Sequence, residues 1–278
     1  MKGAFLNEPY CPQLGYVYPR AQDAHMLQVA PDCPVDLSGD YPFLDRSKSF
    51  RCKQFWMRVL FHGFAKPLCR IRYALKVEGK LPKALRHKPF VTVCNHVAYW
   101  DFIILSCGFP FRNCAYPIWR TNMQNKSNFL YRAVGAIPVP NVQKDGRHAV
   151  RRFHDALDTV LNEGRWLHVY PEASMWYYYT PICPFKKTAF ALAVEHQVPV
   201  VPLTISFRPP KGLYRLFKKD PCCTLHIGAP EYPDPTLGRT DAAEDLSERC
   251  RLDMMHMAGI RDAAHNEALM QQYQYQEA

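Results

Sequence analysis

The sequence predicts an α/β fold of substantial size, preceded by an extended arm and a basic helical segment. At 278 residues and 32.2 kDa the chain is long enough to bury a large core. From about residue 90 onward, short runs rich in β-branched residues alternate with amphipathic helical patterns, which is typical of α/β domains. The net charge of +10 is accounted for by residues 51–90, and the rest of the chain is balanced.

The first fifty residues contain six prolines and scattered tyrosines without a sustained hydrophobic period. This composition predicts an extended arm over 1–50, either lying against the domain or forming a partly ordered tail. The arm shows no apolar run of signal-peptide length, and the eleven cysteines include no CxxC pair. We therefore expect a cytosolic protein with neither a disulfide framework nor a metal site.

The basic segment has a helical period. Polar side chains recur four residues apart on an otherwise apolar stretch at 52–66, and Pro67 suits the first turn of a second helix. We expect residues 51–76 to form an amphipathic helix pair on the surface of an anionic membrane. Charges and Pro67 interrupt the apolar run too early for it to span a bilayer. The alternative is a core helix with a solvated edge.

Beyond residue 77 the elements follow one another in an alternating order. Strand-like runs stand at 91–95, 136–140, 166–170, 198–206 and 222–228. Helical patterns begin near 101, cover 146–164 and 189–196, and begin again near 240. The helix at 146–164 is clearly amphipathic, and Gly164 suits its C-terminal cap.

His96 stands five residues before Asp101, just after a buried-looking strand and at the start of a helix. An aspartate that accepts one imidazole N–H fixes the tautomer and stabilises the imidazolium. The other ring nitrogen is then left to take a proton from an attacking hydroxyl. This spacing also arises by chance in a chain of this composition, so it gains weight only from further motifs.

Such motifs follow in order along the chain. The set comprises NHVAYWD at 95–101, GAIPVP at 135–140, YPEAS at 170–174 and VPVVPL at 198–203. It resembles the four ordered blocks of the glycerolipid and lysophospholipid acyltransferase family, which includes 1-acylglycerol-3-phosphate acyltransferases. The resemblance runs from about Val77 to Pro233. It implies a mixed, mostly parallel central sheet flanked by helices, with residues 77–278 as the catalytic domain.

The resemblance also implies roles for particular residues. His96 would be the general base on an acceptor hydroxyl and Asp101 would orient it, while an acyl-CoA or acyl-carrier protein supplies the acyl group as co-substrate. Backbone N–H groups at the helix start after His96 are expected to stabilise the oxyanion. Expected acceptor-binding residues are Pro171, Glu172, Ser174, Arg120 and Gly135, and Asn95 and Pro199 are expected to support the oxyanion or donor site. No cofactor is expected.

Two departures from the family pattern bear on the acceptor. Relatives that use a phosphate-bearing acceptor usually carry an arginine at each of two positions where this chain has Asn141 and Met175. Both planar donor forks for a phosphate are missing, although Arg120 or Arg147 could supply one. We therefore expect a less charged lysolipid, or another amphiphilic alcohol or amine, to be preferred over lysophosphatidic acid. The aromatic run at 176–179 either lines the acceptor pocket or packs on the core.

The combined expectation is an O-acyltransferase, peripheral on the inner, cytoplasmic face of a membrane. Its partners would be an anionic membrane surface, the acyl donor and a lipid-like acceptor. A lipid or thioester hydrolase is a second class, although no GxSxG motif is present. A non-catalytic module that binds membrane or nucleic acid is a third. The wide apolar face of the basic helices favours lipid over nucleic acid, and nothing indicates the oligomeric state.

Overall fold

A computed structural model describes residues 8–21, 24, 26, 35–99, 101–109, 114–123 and 128–276. The strands are β1 (Tyr18–Pro19), β2 (Lys76–Glu78), β3 (Phe90–Cys94), β4 (Cys114–Trp119), β5 (Ala136–Val139), β6 (Trp166–Val169), β7 (Val200–Arg208), β8 (Cys222–Ile227) and β9 (Tyr275–Gln276). The helices are α1 (Lys48–Tyr73), α2 (Asp101–Gly108), α3 (Asn128–Ala133), α4 (Val142–Asn162), α5 (Thr188–Glu195), α6 (Tyr214–Phe217), α7 (Arg239–Met257) and α8 (Ala263–Met270).

The central sheet has seven strands in the order β2, β8, β7, β3, β6, β4, β5. The last five strands in this order are parallel, β8 runs antiparallel to β7, and β2 runs parallel to β8. The expected α/β fold with a mixed, mostly parallel sheet flanked by helices is confirmed. The five parallel strands end at one edge of the sheet, which we call the carboxyl edge, and ligands usually bind there in such sheets.

Two hydrophobic cores cover the two faces of the sheet. Side chains alternate along β3, so that Val91 and Val93 enter the core beneath α4, α5 and α7, whereas Phe90 and Cys94 enter the core beneath α1 and α2. All five residues of β3 are buried. This strand is therefore fixed on both sides, and the loop that follows it begins from a rigid position.

The predicted N-terminal helix pair is wrong, because α1 is one helix of 26 residues with Pro67 inside it. A proline within a helix removes a hydrogen bond to the carbonyl four residues earlier and crowds that carbonyl. Here the earlier residue is Gly63, and both residues are exposed, so solvent can reach the carbonyl that is left without its helical partner. Arg58 and Tyr73, on either side of the proline, are buried against the domain and hold the helix in place.

The described part of the N-terminal arm lies against the domain. Tyr18 pairs with Tyr275 in a short parallel ladder between β1 and β9. Its ring packs at centroid distances of 5.1 Å from Tyr179 and 5.3 Å from Tyr273. Trp176 is also buried in this cluster. Within the aromatic run at 176–179, Trp176 and Tyr179 pack on the arm and the C-terminal segment, whereas Tyr178 packs in the core, with its ring centroid 5.5 Å from that of Phe207.

The other predicted strands and helices from residue 90 onward are confirmed within a few residues, whereas β2, β4, β9, α3, α6 and α8 were not predicted. In the described part of the chain, no helix combines the length and the apolar character needed to cross a membrane. The division into an arm at 1–50, a membrane-surface segment at 51–76 and a catalytic domain at 77–278 stays a prediction. In the structure α1 packs on α2 and α3.

Candidate active site

The predicted catalytic residues and part of the predicted acceptor site lie at the carboxyl edge of the sheet, after two adjacent strands. β3 leads through His96 to Asp101, the first residue of α2. β6 pairs with β3 in register and leads into Pro171 and Glu172. Because the two strands end side by side, their loops meet over the same end of the sheet.

His96 and Asp101 are in direct contact, with 2.9 Å between His96 Nδ1 and Asp101 Oδ2. The Asp101 side chain is fully buried, whereas the His96 side chain is 27% exposed. The carboxylate is thus shielded from water while the imidazole remains accessible. This is the geometry that a base needs in order to act on a substrate arriving from outside.

Two backbone N–H groups also bind Asp101. Val97 N–H donates to Asp101 Oδ2 over 2.7 Å and Ala98 N–H over 3.0 Å. These donors stabilise the negative charge of a carboxylate that begins a helix. They were expected to serve an oxyanion, and that expectation is wrong for these two groups because both are already bound to Asp101.

The loop after β6 holds the backbone of the His96 loop. His96 N–H donates to Glu172 Oε2 over 3.0 Å. In return, Trp176 N–H donates to the His96 carbonyl and Tyr178 N–H to the Val97 carbonyl, each over 2.9 Å. These bonds fix the backbone at His96, which is how a catalytic side chain is held in position before substrate arrives.

Glu172 is buried, and each of its carboxylate oxygens accepts a backbone hydrogen bond. Oε2 binds His96 N–H, and Oε1 accepts from Cys183 N–H over 2.9 Å. Burial raises the pKa of Glu172 to about 7, and the two N–H donors oppose that rise. The structure therefore places the predicted acceptor residue beneath the His96 loop, where it joins that loop to the segment around Cys183.

The His96 ring stacks on Tyr170, with ring centroids 4.0 Å apart and an angle of 16° between the planes. Behind it, His168 packs edge-on against Tyr170 and lies 2.8 Å from Thr92 Oγ1 through its Nδ1. Burial lowers the pKa of His168 to about 3, and the nearby His96 lowers it further. His168 is therefore neutral at physiological pH. Sequence reasoning missed Tyr170, although it stands directly before the Pro-Glu of the third motif.

Asn95 joins β3 to β7 beyond the end of their ladder. Its side-chain amide donates to the Ile205 carbonyl over 3.0 Å and accepts from Ile205 N–H over 2.8 Å. Both polar side-chain atoms of Asn95 thus bind the backbone of β7, so Asn95 supports the site by joining β3 to β7. Pro199 precedes β7 at the opposite edge, where its carbonyl accepts from Val91 N–H. The structure does not bring Pro199 to His96, which corrects its expected place in the donor site.

Of the other predicted residues, Pro171 and Ser174 lie at the carboxyl edge of the sheet, and Gly135 lies toward the opposite edge. Pro171 and Ser174 flank Glu172 and are buried, and the Ser174 hydroxyl donates weakly to the Glu172 carbonyl over 3.4 Å. Gly135 precedes β5, roughly 13 Å behind the end of the sheet at about 3.3 Å per residue. Its left-handed φ of 107° lets its backbone approach the Cys114 carbonyl, which would meet a Cβ at 2.1 Å. Its expected acceptor contact is therefore not supported by its position.

Arg120 follows β4 at the carboxyl edge, but its guanidinium is already paired. It binds Asp145 through Nη1 and the Val35 carbonyl through Nη2. Asp145 Oδ2 also accepts from Asn141 N–H over 2.7 Å. The Asn141 side chain in turn accepts from two N–H groups at the start of α4. Neither residue presents a free donor fork to a phosphate in this arrangement.

Comparison with known proteins bears on this site. Residues 74–206, which include all four sequence motifs, match the family model named Acyltransferase. An uncharacterized acyltransferase of Schizosaccharomyces pombe is 27% identical over 235 residues, which is 78% of this chain and 72% of that protein. A putative 1-acyl-sn-glycerol-3-phosphate acyltransferase of Caenorhabditis elegans is 25% identical over 167 residues, covering 59% of this chain and 60% of the relative.

A solved structure shares the fold. The 1-acyl-sn-glycerophosphate acyltransferase PlsC from Thermotoga maritima superposes with a TM-score of 0.53 at 20% identity, covering 77% of this chain and 84% of that chain. At this identity the likeness extends to the architecture of the sheet and its helices. The position of the candidate site at the carboxyl edge follows from that architecture.

Proposed function

We propose that this protein moves a fatty acyl group from a thioester to a hydroxyl of a lipid-like acceptor, since residues 74–206 match the family model named Acyltransferase. The observation that carries the proposal is the contact between the accessible imidazole of His96 and the buried carboxylate of Asp101. This pair lies within the matched region, at the edge of the sheet where ligands usually bind.

In the proposed reaction His96 acts as general base. Its Nδ1–H donates to Asp101, so that Nε2 carries the lone pair that takes the proton of the acceptor hydroxyl. The hydroxyl oxygen attacks the thioester carbonyl, the carbon–sulfur bond breaks, and the leaving thiolate takes the proton back from the imidazolium. The products are an ester and a free thiol, and no covalent acyl-enzyme forms.

The surroundings of His96 support this role. Stacking on Tyr170 and the backbone bonds to Glu172 and Trp176 restrict the imidazole to one orientation. A fixed base avoids the cost of reorganisation at the moment of reaction. Glu172 acts in this scheme as a positioning residue, since both of its oxygens are held by backbone N–H groups.

For the acceptor we propose a lysophospholipid or glycerolipid-like alcohol without a terminal phosphomonoester. Its support is that Asn141, at one of the two positions without the family arginine, caps α4, and that Arg120, a possible substitute, is paired with Asp145. A dianionic phosphate is bound most firmly by planar donor forks, and the fork is absent at Asn141 and occupied at Arg120. For the donor we propose acyl-CoA or an acyl-carrier protein, with no other cofactor and no metal ion. The protein would act as a peripheral protein on the cytoplasmic face of an anionic membrane.

The experiment that tests the proposal measures thiol release from acyl-CoA by the purified protein, with and without a lysophospholipid. Transfer predicts that thiol release rises several-fold when the acceptor is added, and that an acylated product appears in the same amount. Equal thiol release in both samples, with free fatty acid as the product, would make the protein a thioester hydrolase instead. No release in either sample would favour a binding module.

A further inference from the structure

A second apolar element besides α1 stands out on the surface, in the segment between β7 and β8. Its side chains Leu213, Leu216 and Phe217 are 75%, 81% and 70% exposed. Among the described large apolar residues, only Ile71 of α1 is comparably exposed, at 72%. Large apolar side chains that cluster in the open usually mark a binding surface.

The short helix α6 in this segment is fixed against the C-terminal end of α1. Tyr214 Oη donates to the Arg70 carbonyl over 3.1 Å, and Lys218 Nζ donates to the Arg72 carbonyl over 2.7 Å. The Arg72 side chain pairs with Asp220 over 2.7 Å. The exposed side chains of α6 are therefore presented from a supported position, next to those of α1.

α1 contributes a matching apolar stripe. Leu60, Phe64, Leu68 and Ile71 recur at helical spacing and are 54%, 65%, 49% and 72% exposed. We call these four residues together with Leu213, Leu216 and Phe217 the apolar rim. The opposite side of α1 is the one that packs on the domain, through residues such as Ala65 and Cys69. The apolar rim is thus a surface that the fold itself leaves uncovered.

The α6 part of the apolar rim and the C-terminal end of α1 lie at the same edge of the sheet as His96. β7 runs parallel to β3 and ends at Arg208, so the chain leaves the sheet toward α6 at the carboxyl edge. β8 returns from that edge antiparallel to β7, with Cys222 opposite Arg208. The end of α1 reaches the same edge, because Lys76 of β2 lies opposite Thr224.

Basic residues surround the rim. The segment at 209–221 carries four Lys/Arg and one acidic residue, and α1 carries seven Lys/Arg, of which Arg58 is buried, and no acidic residue. An apolar surface edged by cations is complementary to a leaflet rich in anionic lipids. A second copy of the same surface is a poor match, since it would bring two sets of like charges together.

We propose that α6 is a second membrane-inserting element, which with the stripe of α1 seats the apolar rim in an anionic leaflet and turns the His96 edge toward the lipid. This deepens the proposed function, on which it rests for the need to reach lipid substrates. Two elements on one edge define an orientation, whereas one helix alone leaves the protein free to roll about its axis. The amphiphilic acceptor and the acyl chain of the donor then reach the His96 edge from the leaflet without crossing water.

The test is co-sedimentation of the full chain with vesicles of equal parts phosphatidylcholine and phosphatidylglycerol. The variant carries Leu213→Ser, Leu216→Ser and Phe217→Ser, and these positions are too exposed to carry the fold, which thermal unfolding verifies. The matched control carries Tyr232→Ser and Leu237→Ser, two apolar residues 58% and 41% exposed on the segment after β8. We expect the α6 variant to bind about tenfold more weakly or worse, and the control to bind within about twofold of wild type.

A second measurement locates α6 in the bilayer. Phe217→Trp is made in a Trp56→Phe background, with Tyr232→Trp in that background as the control, and the quenching of the background protein, which keeps four native tryptophans, is subtracted from both. Lipids brominated in their acyl chains should quench the fluorescence of Trp introduced at 217 more than that introduced at 232. Unchanged vesicle binding of the triple variant, or equal quenching at both positions, overturns the proposal. If the triple variant loses only self-association, the rim is a protein interface. Binding is read without acyl transfer, so failure here is distinct from failure of the proposed reaction.

Discussion

Glu172 offers a sharp test of how the site is held together, because its carboxylate is buried without a cationic side chain bound to it in the described structure. Burial raises its pKa from 4.5 to about 7. Between these pH values the folded state binds more protons than the unfolded state. The free energy of unfolding therefore falls as the pH rises through the window from about 4.5 to 7, and the loss is complete above it.

The magnitude follows from the size of the shift. At about 1.4 kcal/mol per pKa unit, a rise of roughly 2.5 units corresponds to about 3 kcal/mol between pH 4.5 and 8. Glu172→Gln removes the titration while keeping the shape of the side chain. The difference in free energy of unfolding between wild type and this variant should therefore shrink by about 3 kcal/mol from pH 5 to pH 8, with wild type relatively favoured at pH 5.

The assay is urea denaturation of both proteins at several pH values, followed by circular dichroism. Glu163→Gln serves as a control, since Glu163 is a partly exposed residue paired with Arg46 at the surface. That substitution should change the free energy of unfolding by less than about 1 kcal/mol at any pH. If the difference in free energy of unfolding between wild type and Glu172→Gln is the same at pH 5 and pH 8, the reasoning about burial is refuted.

Three further predictions concern other parts of the site. Asn95→Ala leaves both backbone groups of Ile205 unsatisfied and should lower the free energy of unfolding by about 2–5 kcal/mol in urea denaturation; a loss below 1 kcal/mol would contradict it. Tyr170→Leu should lower kcat by up to about tenfold, because the stacking of Tyr170 on His96 is lost. Tyr170→Phe keeps the ring and should keep the wild-type kcat. Equal losses of kcat in the two variants would assign the role to the Tyr170 hydroxyl. Specificity constants kcat/KM should favour a neutral or zwitterionic lysolipid over lysophosphatidic acid, and the reverse order would show that the loss of arginine at Asn141 is compensated.

The contact between His96 and Asp101 could be predicted from the sequence because its geometry is local. Five residues separate His96 from Asp101, and a strand followed by a helix brings them to 2.9 Å. The strands at 91–95 and 198–206 were also evident, since buried parallel strands are continuous apolar runs. β4 was not predicted, because Ile118 is its only β-branched residue and its sequence CAYPIW therefore lacks the usual strand pattern.

What could not be predicted depends on contacts between distant parts of the chain. The two bonds of Glu172 join it to His96, 76 residues earlier, and to Cys183. The order of the motifs along the chain also does not tell whether a residue stands at the start or at the end of its strand. Gly135 and Pro199 belong to motifs that contain strands, yet each precedes its strand and so lies away from the carboxyl edge. Pro67 was read as a helix start, and only the packing of α1 on both sides of it reveals one helix.

Asp101 should matter to the reaction through His96. Asp101→Asn would place an amide against His96 Nδ1 and favour the wrong tautomer, which typically lowers kcat by up to about 10⁴-fold. Because Asp101 is fully buried and binds Val97 and Ala98 as well, the unfolding temperature of the variant must be measured beside its activity. A decline in kcat without a matching loss of fold would place the effect in the chemistry.

The most direct measurement is acyl transfer by His96→Ala, with acyl-CoA as donor and a lysophospholipid as acceptor. The side chain of His96 is partly exposed and makes its one described side-chain hydrogen bond to Asp101, so the variant should remain folded by circular dichroism. Loss of the general base predicts that kcat falls by about 10²- to 10⁴-fold. A folded His96→Ala protein that transfers acyl groups at nearly the wild-type rate would contradict the central claim.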